Sequence, residues 1–328
     1  MLNSNHIINV GVIGVGYLGS FHVEQYQQIP GVRLVGCCDL DNKALSNIKT
    51  KYSVNTFSTI DDLLKKCDAV SVVTPTITHF NIAKDAIEAG CHVLIEKPIT
   101  HDIKEAKKLL KLATKHNKII QVGHIERFNP AFSTLKTKDT NPRFIESHRI
   151  APFNTRGMDV DVVLDLMIHD IDIVLALVDS PVDNIKASGV AVLSKNLDSV
   201  NARIEFMNGC VANLTASRIA NKKIRKFRFF EDSGYTTIDF LNPSVERYVL
   251  HKNKPCNKQL TTIMTHDNKY ITYDKLNIQP HNALNKELAH FIHCISQEKN
   301  PIVDGSSGLN ALQLAIDIQN DITHHNKK

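Results

Sequence analysis

No long apolar segment occurs in this sequence. None of the 328 residues lies in a run that approaches the ~20 apolar residues of a membrane-spanning helix. The first residues, MLNSNHIINV, also lack the basic region and the apolar core of a secretory signal. We therefore expect a protein with no membrane partner and no visible export signal.

The cysteines do not form a pattern typical of disulfide-stabilised proteins. There are seven of them, an odd number, and no two are spaced as Cys-x-x-Cys. This usage favours a reducing compartment, and we predict a cytoplasmic protein. His290, His293 and Cys294 have helical spacing, but no fourth ligand accompanies them, so the sequence predicts no metal site.

A strong charge of either sign is also absent, because the formal net charge is only +5. One segment, residues 222–230, interleaves lysine and arginine with phenylalanine. Such interleaving occurs on nucleic-acid-binding surfaces, but a strand with one solvated face gives the same pattern. We favour the second interpretation and predict no nucleic-acid partner.

The length of the chain and its hydrophobic pattern predict two domains, since single cores stop growing near ~250 to 300 residues. Up to residue 122, apolar runs alternate with helical patterns, which predicts an α/β doubly wound parallel sheet. After a helix over 160–178, short strand-like runs follow one another directly, which predicts a mostly antiparallel sheet in an α+β domain. We place the domains at 1–124 and 125–328.

The most informative segment begins with the apolar run Ile8 to Ile13, which passes directly into Gly14, Gly16 and Gly19. Gly14 permits a tight strand-to-helix turn, and Gly16 lets the backbone approach a pyrophosphate. Gly19 allows the helix to pack closely on its strand. The N–H groups at the start of the helix would then meet the phosphates, so the segment predicts dinucleotide binding.

Asp39 follows the second predicted strand, Val32 to Cys38, where a carboxylate accepts hydrogen bonds from ribose hydroxyls and repels the extra phosphate of NADP. The sequence therefore predicts NAD in preference to NADP. Two alternatives remain open at this point. Lys43 is close enough in sequence to tolerate a phosphate, and Asp39 could instead cap a helix that starts near Asn42.

Lys97 stands in the segment Ile95-Glu96-Lys97-Pro98, directly after a predicted parallel strand. The carboxyl ends of such strands are where open α/β sheets bind ligands, so this amine is expected beside the nicotinamide. There it could exchange a proton with a substrate hydroxyl. The alternative is a lysine on a surface loop.

Asp165 and His169 lie four residues apart and share a face of the predicted helix, and Asp172 continues that face. The surrounding valine, leucine and isoleucine residues predict that this helix is buried. Polar groups in such a place are satisfied by one another or by a ligand. A purely structural pair remains the alternative to a functional one.

Together these motifs resemble the Gfo/Idh/MocA oxidoreductases, a family named for glucose-fructose oxidoreductase and inositol dehydrogenase. The resemblance covers nearly the whole length. It rests on the glycine loop with His22, Thr74-Pro75 with His79, Glu96-Lys97-Pro98, the helix with Asp165, His169 and Asp172, and the ending from Pro301 to Gly308.

The resemblance implies an NAD(P)-dependent dehydrogenase that transfers a hydride from a secondary hydroxyl of a sugar or cyclitol. It also implies a Rossmann domain followed by a large open sheet, through which such proteins often form homo-oligomers, dimers or tetramers. Lys97 and His169 would handle the proton, and Asp165 would orient them or the substrate. The residues expected to hold the cofactor are Gly14, Gly16, Tyr17, Leu18, Gly19, Asp39, Thr74, Pro75, His79, Glu96, Lys97 and Gln121.

Two further segments, His124 to Pro130 and Arg156 to Asp172, resemble the branch of the family that contains UDP-N-acetylglucosamine 3-dehydrogenases. Met167 stands where sugar dehydrogenases commonly have glycine, and only Gly157 is left of the usual glycine cluster before Asp165. These features favour C3 of a UDP-N-acetylhexosamine as the reacting carbon. The alternatives are a dehydrogenase of a free sugar, inositol or other small polyol, and a non-catalytic NAD-binding sensor.

A nucleotide-sugar substrate carries a diphosphate, for which arginine is a suitable partner. Arg149, Arg156 and Arg218 are the candidates in the second predicted domain. The sensor alternative is disfavoured because a sensor has no need of the proton-handling residues Lys97 and His169.

Overall fold

The computed structural model describes residues 7–135, 140–154, 160–253, 261–266 and 269–325. The chain divides into two compact units, the first comprising Met1–Phe128 and His281–Leu312 and the second comprising Asn129–Pro280 and Gln313–Lys328. The sequence-based division differs from these units chiefly at residues 281–312, which it placed in the second domain.

Strands and helices alternate in the first part of the chain, and strands dominate the second part. The strands are β1 (Ile8–Ile13), β2 (Val32–Cys38), β3 (Thr56–Phe57), β4 (Ala69–Val72), β5 (His92–Glu96), β6 (Ile120–Gly123), β7 (Phe144–Pro152), β8 (Val182–Val190), β9 (Ser199–Phe206), β10 (Val211–Ala220), β11 (Ile224–Glu231), β12 (Gly234–Asp239), β13 (Ser244–His251), β14 (Thr261–His266) and β15 (Lys269–Lys275). The helices are α1 (Tyr17–Tyr26), α2 (Asn42–Tyr52), α3 (Ile60–Leu64), α4 (Thr76–Glu88), α5 (Ile103–His116), α6 (Pro130–Ser133), α7 (Ile168–Leu177), α8 (Ala283–Gln297) and α9 (Gly305–His325). In the described part of the chain, no helix is long and apolar enough to cross a membrane.

Within the described residues, the first unit contains a six-stranded parallel sheet in the order β3-β2-β1-β4-β5-β6. Strands β1 and β4 are almost wholly buried, as their unbroken apolar sequences require in a sheet covered on both faces. The strand order reverses between β1 and β4, and ligands of open α/β sheets bind at such a switch point, outside the carboxyl ends of the strands. The predicted doubly wound Rossmann fold is confirmed.

Residues 281–312 belong to the first unit because α8 supplies part of its core. Leu288, Phe291 and Ile292 of α8 are buried in one apolar cluster with Val23 and Tyr26 of α1. Their spacing of three and four residues puts them on one face of α8. Packing between residues far apart in sequence therefore assigns α8 to this unit.

The second unit contains, among the described residues, a nine-stranded sheet in the order β14-β15-β13-β12-β11-β7-β10-β9-β8. Neighbouring strands are antiparallel except β7 and β10, which run parallel. In β9, Val200, Ala202 and Ile204 are buried, whereas Asn201 and Arg203 between them are exposed. One face of the sheet is therefore open to solvent, which confirms the predicted open, mostly antiparallel sheet.

The basic segment at residues 222–230 follows the same alternation. In β11, Phe227 and Phe229 are buried, while Lys226 and Arg228 are exposed. The interpretation of this segment as a strand with one solvated face is confirmed.

Candidate active site

The glycine loop joins β1 to α1 and depends on the absence of side chains. Gly14 has a φ of 88°, and a side chain there would collide with the carbonyl oxygen of Val73. A side chain at Gly19 would collide with the carbonyl oxygen of Gly14, so α1 lies tight against the loop. At Gly16, by contrast, an added Cβ would meet no described atom within 4 Å. Gly16 therefore leaves room for a ligand to approach the backbone.

Gly16, Tyr17 and Leu18 form the exposed start of α1, and no side chain among the described residues caps it. The first N–H groups of a helix have no partner inside the helix, and together with the helix dipole they attract anions. An open glycine beside an uncapped helix start is the arrangement that binds a dinucleotide pyrophosphate. These residues therefore fit the phosphates of NAD.

Asp39 follows β2 and is tied to the glycine loop. Its Oδ2 accepts a hydrogen bond of 2.6 Å from the N–H of Val15, and its Oδ1 accepts one of 2.9 Å from the N–H of Asp41. The cap of α2 is Asp41, whose side chain accepts a hydrogen bond from the N–H of Lys43. The alternative interpretation of Asp39 as a helix cap is therefore wrong.

Glu96 and Lys97 lie at the carboxyl end of β5, and both are half-buried. Oε1 of Glu96 lies 3.1 Å from Nε2 of His22, and Oε2 accepts a hydrogen bond of 3.3 Å from the N–H of Lys97. Burial raises the pKa of Glu96, but the hydrogen bond and charge of His22 and the charge of Lys97 outweigh this effect and lower it. Glu96 is therefore a carboxylate at neutral pH.

His79 links the two loops that follow β4 and β5. Its Nδ1 lies 2.9 Å from the carbonyl oxygen of Pro98, and its Nε2 lies 2.8 Å from that of Thr74. The ring is 1% exposed, and this burial lowers the pKa of His79 even though the two carbonyl groups raise it. His79 therefore acts on a ligand only through the loops it joins.

Gln121 is also buried, in contrast to the exposed Pro75 and the half-buried Thr74. Its side-chain N–H donates a hydrogen bond of 3.0 Å to the carbonyl oxygen of Glu287 in α8. A side chain with 0% exposure offers no surface to a ligand in this conformation. Any part that Gln121 has in holding a cofactor is consequently indirect.

Asp165 and His169 belong to the second unit, whereas Lys97 and the residues predicted to hold the cofactor belong to the first. Both are half-buried, and Asp165 lies in a π-helical turn, Val163–Met167, directly before α7. The predicted regular helix over 160–178 is therefore wrong at its start. The side chain of Asp161 accepts hydrogen bonds from the N–H groups at the start of this turn. Single π-helical turns are frequent at functional sites.

Two of the arginines considered for a diphosphate are held in buried ion pairs. Arg149 donates to both carboxylate oxygens of Asp170, at 3.0 and 2.8 Å, and Arg218 donates to Asp198 at 2.9 Å. Both arginine side chains are less than 5% exposed and already paired with carboxylates, so in this conformation neither presents its guanidinium to a diphosphate. Arg156 and Gly157, the remaining residues singled out in this region, lie outside the described residues.

The sequence predicts no role for His22 beyond its place in the family resemblance. It also gives no sign that Gly123 lies against Glu96, where an added Cβ would lie 2.9 Å from Oε2. Neither contact is visible in the sequence, because each joins residues on different elements. Among the described residues, no group of three or more histidine, cysteine, aspartate or glutamate side chains is placed to hold a metal ion.

Comparison with known proteins identifies the family. Residues 8–124 match the model of an oxidoreductase family with an NAD-binding Rossmann fold, and residues 135–235 match the GFO/IDH/MocA C-terminal domain. The chain is also 34% identical to the UDP-N-acetylglucosamine 3-dehydrogenase of Acidithiobacillus ferrooxidans, over 95% of this chain and 96% of that protein. This chain belongs to the Gfo/Idh/MocA family.

Solved structures and further relatives are similar to this chain along most of its length. A structure of the A. ferrooxidans enzyme superposes with a TM-score of 0.87 and covers 96% of this chain and 97% of that chain. The scyllo-inositol 2-dehydrogenase (NAD⁺) of Bacillus subtilis is 26% identical over 91% of this chain and 89% of that protein. A scyllo-inositol dehydrogenase of Lactobacillus casei, solved with NAD(H) and scyllo-inositol, is 21% identical with a TM-score of 0.76 and 97% coverage of both chains. This family member is accordingly an oxidoreductase with an NAD-binding Rossmann domain.

Proposed function

We propose that this protein is an NAD-dependent dehydrogenase that oxidises the C3 hydroxyl of a UDP-N-acetylhexosamine. The observation that carries the proposal is the 34% identity to a UDP-N-acetylglucosamine 3-dehydrogenase along almost the full length of both chains. The alignment spans 95% of this chain and therefore includes the second unit, and the inositol dehydrogenase of B. subtilis is a weaker relative at 26% identity.

The cofactor is held by the first unit in this proposal. The start of α1, with Gly16, Tyr17 and Leu18, binds the pyrophosphate, and Asp39 accepts hydrogen bonds from the ribose. Glu96 and Thr74 would help to hold the cofactor, while His79 holds the loops around them. NAD supplies the hydride acceptor when it is bound.

Lys97 and His169 form the proton-handling pair in this proposal, on the strength of the family resemblance. An amine and an imidazole are both able to take the proton that a secondary hydroxyl loses when it is oxidised. Asp165, four residues before His169, orients the pair or the substrate. The half-buried position of all three side chains supports a role at a ligand site.

A dehydrogenase of a free sugar or inositol is the second candidate, and it is favoured by the 26% identity to a scyllo-inositol 2-dehydrogenase. A screen of UDP-sugars and free polyols for NADH formation separates the two candidates. Formation of NADH with UDP-N-acetylglucosamine is the expected result. Turnover of inositols alone would replace the nucleotide-sugar assignment, and absence of turnover with every compound would favour the NAD-binding sensor.

We further propose that the open sheet face of the second unit pairs with a second copy of the chain. An aromatic row crosses neighbouring strands on this face, with ring centroids 4.4 to 5.7 Å apart. The row consists of Phe144, Phe230, Tyr235, Tyr248 and Tyr273. Aromatic residues are enriched at protein interfaces.

The charges beside the aromatic row suit pairing with an identical copy. Arg228 lies 3.7 Å from Glu146 on this face, and its guanidinium lies 5.9 and 5.8 Å from the rings of Phe230 and Tyr235. A two-fold interface brings two copies of the same patch together, and a patch with charges of both signs allows unlike charges of the two copies to meet. A homo-oligomer, dimer or tetramer, follows as the proposed assembly.

The cysteines support the proposal of a cytoplasmic location. Those in the described residues are thiols, and burial raises the pKa of Cys37 and Cys67 to about 12. Such thiols are unreactive and serve as packing residues, as in proteins of a reducing compartment.

A further inference from the structure

A buried histidine connects the glycine loop to the end of β5. The loop forms the start of α1, and His22 lies on α1 three residues after Gly19, with 1% of its surface exposed. Its Nε2 lies 3.1 Å from Oε1 of Glu96. The helix that begins at the proposed phosphate site therefore also contacts the residue that precedes Lys97.

The carboxylate of Glu96 determines which ring nitrogen of His22 carries a proton. An ionised carboxylate can only accept hydrogen bonds, so Nε2 of His22 is the donor. Nδ1 is buried and has no hydrogen-bond partner among the described residues. Among the described residues, the hydrogen bond to Glu96 is therefore the one that the imidazole of His22 makes.

The orientation of the Glu96 carboxylate is fixed from three sides. His22 holds Oε1, the N–H of Lys97 holds Oε2, and Gly123 leaves the space that Oε2 occupies. The side chain of Glu96 nevertheless remains 15% exposed at the carboxyl end of β5, the edge where this fold binds ligands. The protein thus presents one ordered carboxylate to that edge.

We propose that His22 is a positioning residue that keeps the Glu96 carboxylate correctly oriented to accept a hydrogen bond from the bound cofactor. The inference rests on the proposed contact between Glu96 and NAD. Hydrogen bonds to charged groups typically change an equilibrium about ten- to a hundredfold, which sets the size of the expected effect.

The test compares three variants of the full chain by calorimetric titration with NAD, well below their unfolding temperatures. His22→Leu removes the donor and should weaken NAD binding about ten- to a hundredfold. His22→Gln keeps an N–H donor at a similar distance and should restore affinity to within a few-fold of the wild type. Tyr26→Phe is the control, since it removes another buried hydrogen bond of α1, the 2.7 Å contact with Ser71. It should lower stability and leave NAD affinity unchanged.

Glu96→Gln and the double variant with His22→Leu complete the experiment. If His22 acts through Glu96, the double variant should bind NAD no more weakly than the weaker single variant. The inference would be overturned if the losses of NAD affinity in the two single variants multiplied in the double variant. It would also be overturned if Tyr26→Phe lost as much NAD affinity as His22→Leu. Normal affinity in Glu96→Gln would overturn its premise, the proposed role of Glu96, and normal affinity in His22→Leu alone would overturn the role of His22. Glu96→Gln keeps the side-chain size, so it tests the pair even if His22→Leu does not fold.

Discussion

Both carboxylate oxygens of Asp39 accept hydrogen bonds from backbone N–H groups, one in the glycine loop and one before α2. A carboxylate oxygen has more than one lone pair, so each can also accept a bond from a ribose hydroxyl. The same carboxylate would repel the 2′-phosphate of NADP. At the scale of single residues, Asp39 therefore orders the loop, and we expect the same carboxylate to select NAD over NADP.

Replacement of Asp39 by serine tests this dual role. Because the repulsion disappears, the ratio of NAD to NADP affinity should fall and can invert. Absolute affinity for NAD should fall as well, since the bond to the N–H of Val15 is lost. Calorimetric titration with both cofactors measures the two effects.

Asp41→Ala is the matched control for this replacement. It removes the cap of α2 and should cost about 1 kcal/mol of stability, but it should leave the cofactor ratio unchanged. A wild-type preference for NADP of tenfold or more would contradict the assignment of Asp39.

Lys97→Ala and His169→Ala test the proposed proton-handling pair. Each should lower turnover by about 10²- to 10⁴-fold, the typical contribution of general acid–base catalysis. NAD affinity should stay within a few-fold of the wild type, because proton transfer occurs only during reaction and Lys97 is one of many residues expected to hold the cofactor. Exposed Lys104→Ala serves as the control in the same turnover assay. Normal turnover in either test variant would remove that residue from the proposed chemistry.

At the scale of elements, the sequence predicted those strands and helices whose apolar pattern is unbroken. The bounds of β1 and β2 agree with the predicted strands, both of which are largely apolar in sequence. Strand β7 was missed. Its inward-facing positions include Ser147 and Arg149, both buried, and these polar residues interrupt the apolar alternation that marks a strand.

The start of the helix that carries His169 shows a second limit of sequence reasoning. A π-helical turn has the composition of an α-helix, so the apolar run at 160–178 predicted a regular helix there. In the structure, hydrogen bonds from residues far away in sequence stabilise this region. Arg149 of β7 donates to Asp170, and Gln319 of α9 donates to Asp161.

Disruption of the Arg149–Asp170 pair should be strongly destabilising. Asp170→Asn leaves the arginine charge buried at 3% exposure, and breaking a buried pair in this way typically costs about 3 to 5 kcal/mol. Asp62→Asn removes the carboxylate of the exposed pair with Lys65, and its effect on stability should be much smaller because solvent screens the pair. Denaturant unfolding of both variants measures the contrast, and equal losses would contradict this account of the pair.

At the scale of the whole molecule, sequence motifs predicted which segments form the candidate site, but not how its side chains are buried and paired. Glycine spacing and strand context predicted the loop, whose geometry depends on local conformation. The burial of His79 and Gln121 and the pairing of Arg149 depend on tertiary packing, which the sequence did not reveal. The membership of α8 in the first unit has the same origin.

Tyr248→Glu tests the proposed pairing of copies through the aromatic row. Tyr248 stacks on Tyr235 at 4.4 Å, so a charge there should disrupt an interface centred on the row. Light scattering should show a mass lower than that of the wild type. Asn201→Glu, on the same face but two strands beyond the end of the row, should keep the wild-type mass. A monomeric wild type, or an unchanged mass in Tyr248→Glu, would contradict the proposal.

The specificity constant for UDP-N-acetylglucosamine, compared with those for N-acetylglucosamine and myo-inositol, tests the proposed function most directly. Charge-assisted contacts to a diphosphate, for which Arg156 is the remaining candidate, would supply binding energy remote from the reacting carbon. One or two such contacts should favour the nucleotide sugar by about ten- to a thousandfold. The account predicts kcat/KM values in that ratio when NADH formation is followed with NAD in excess. Equal or higher kcat/KM values for the free sugar or for inositol would contradict it and assign the protein to the small-polyol dehydrogenases.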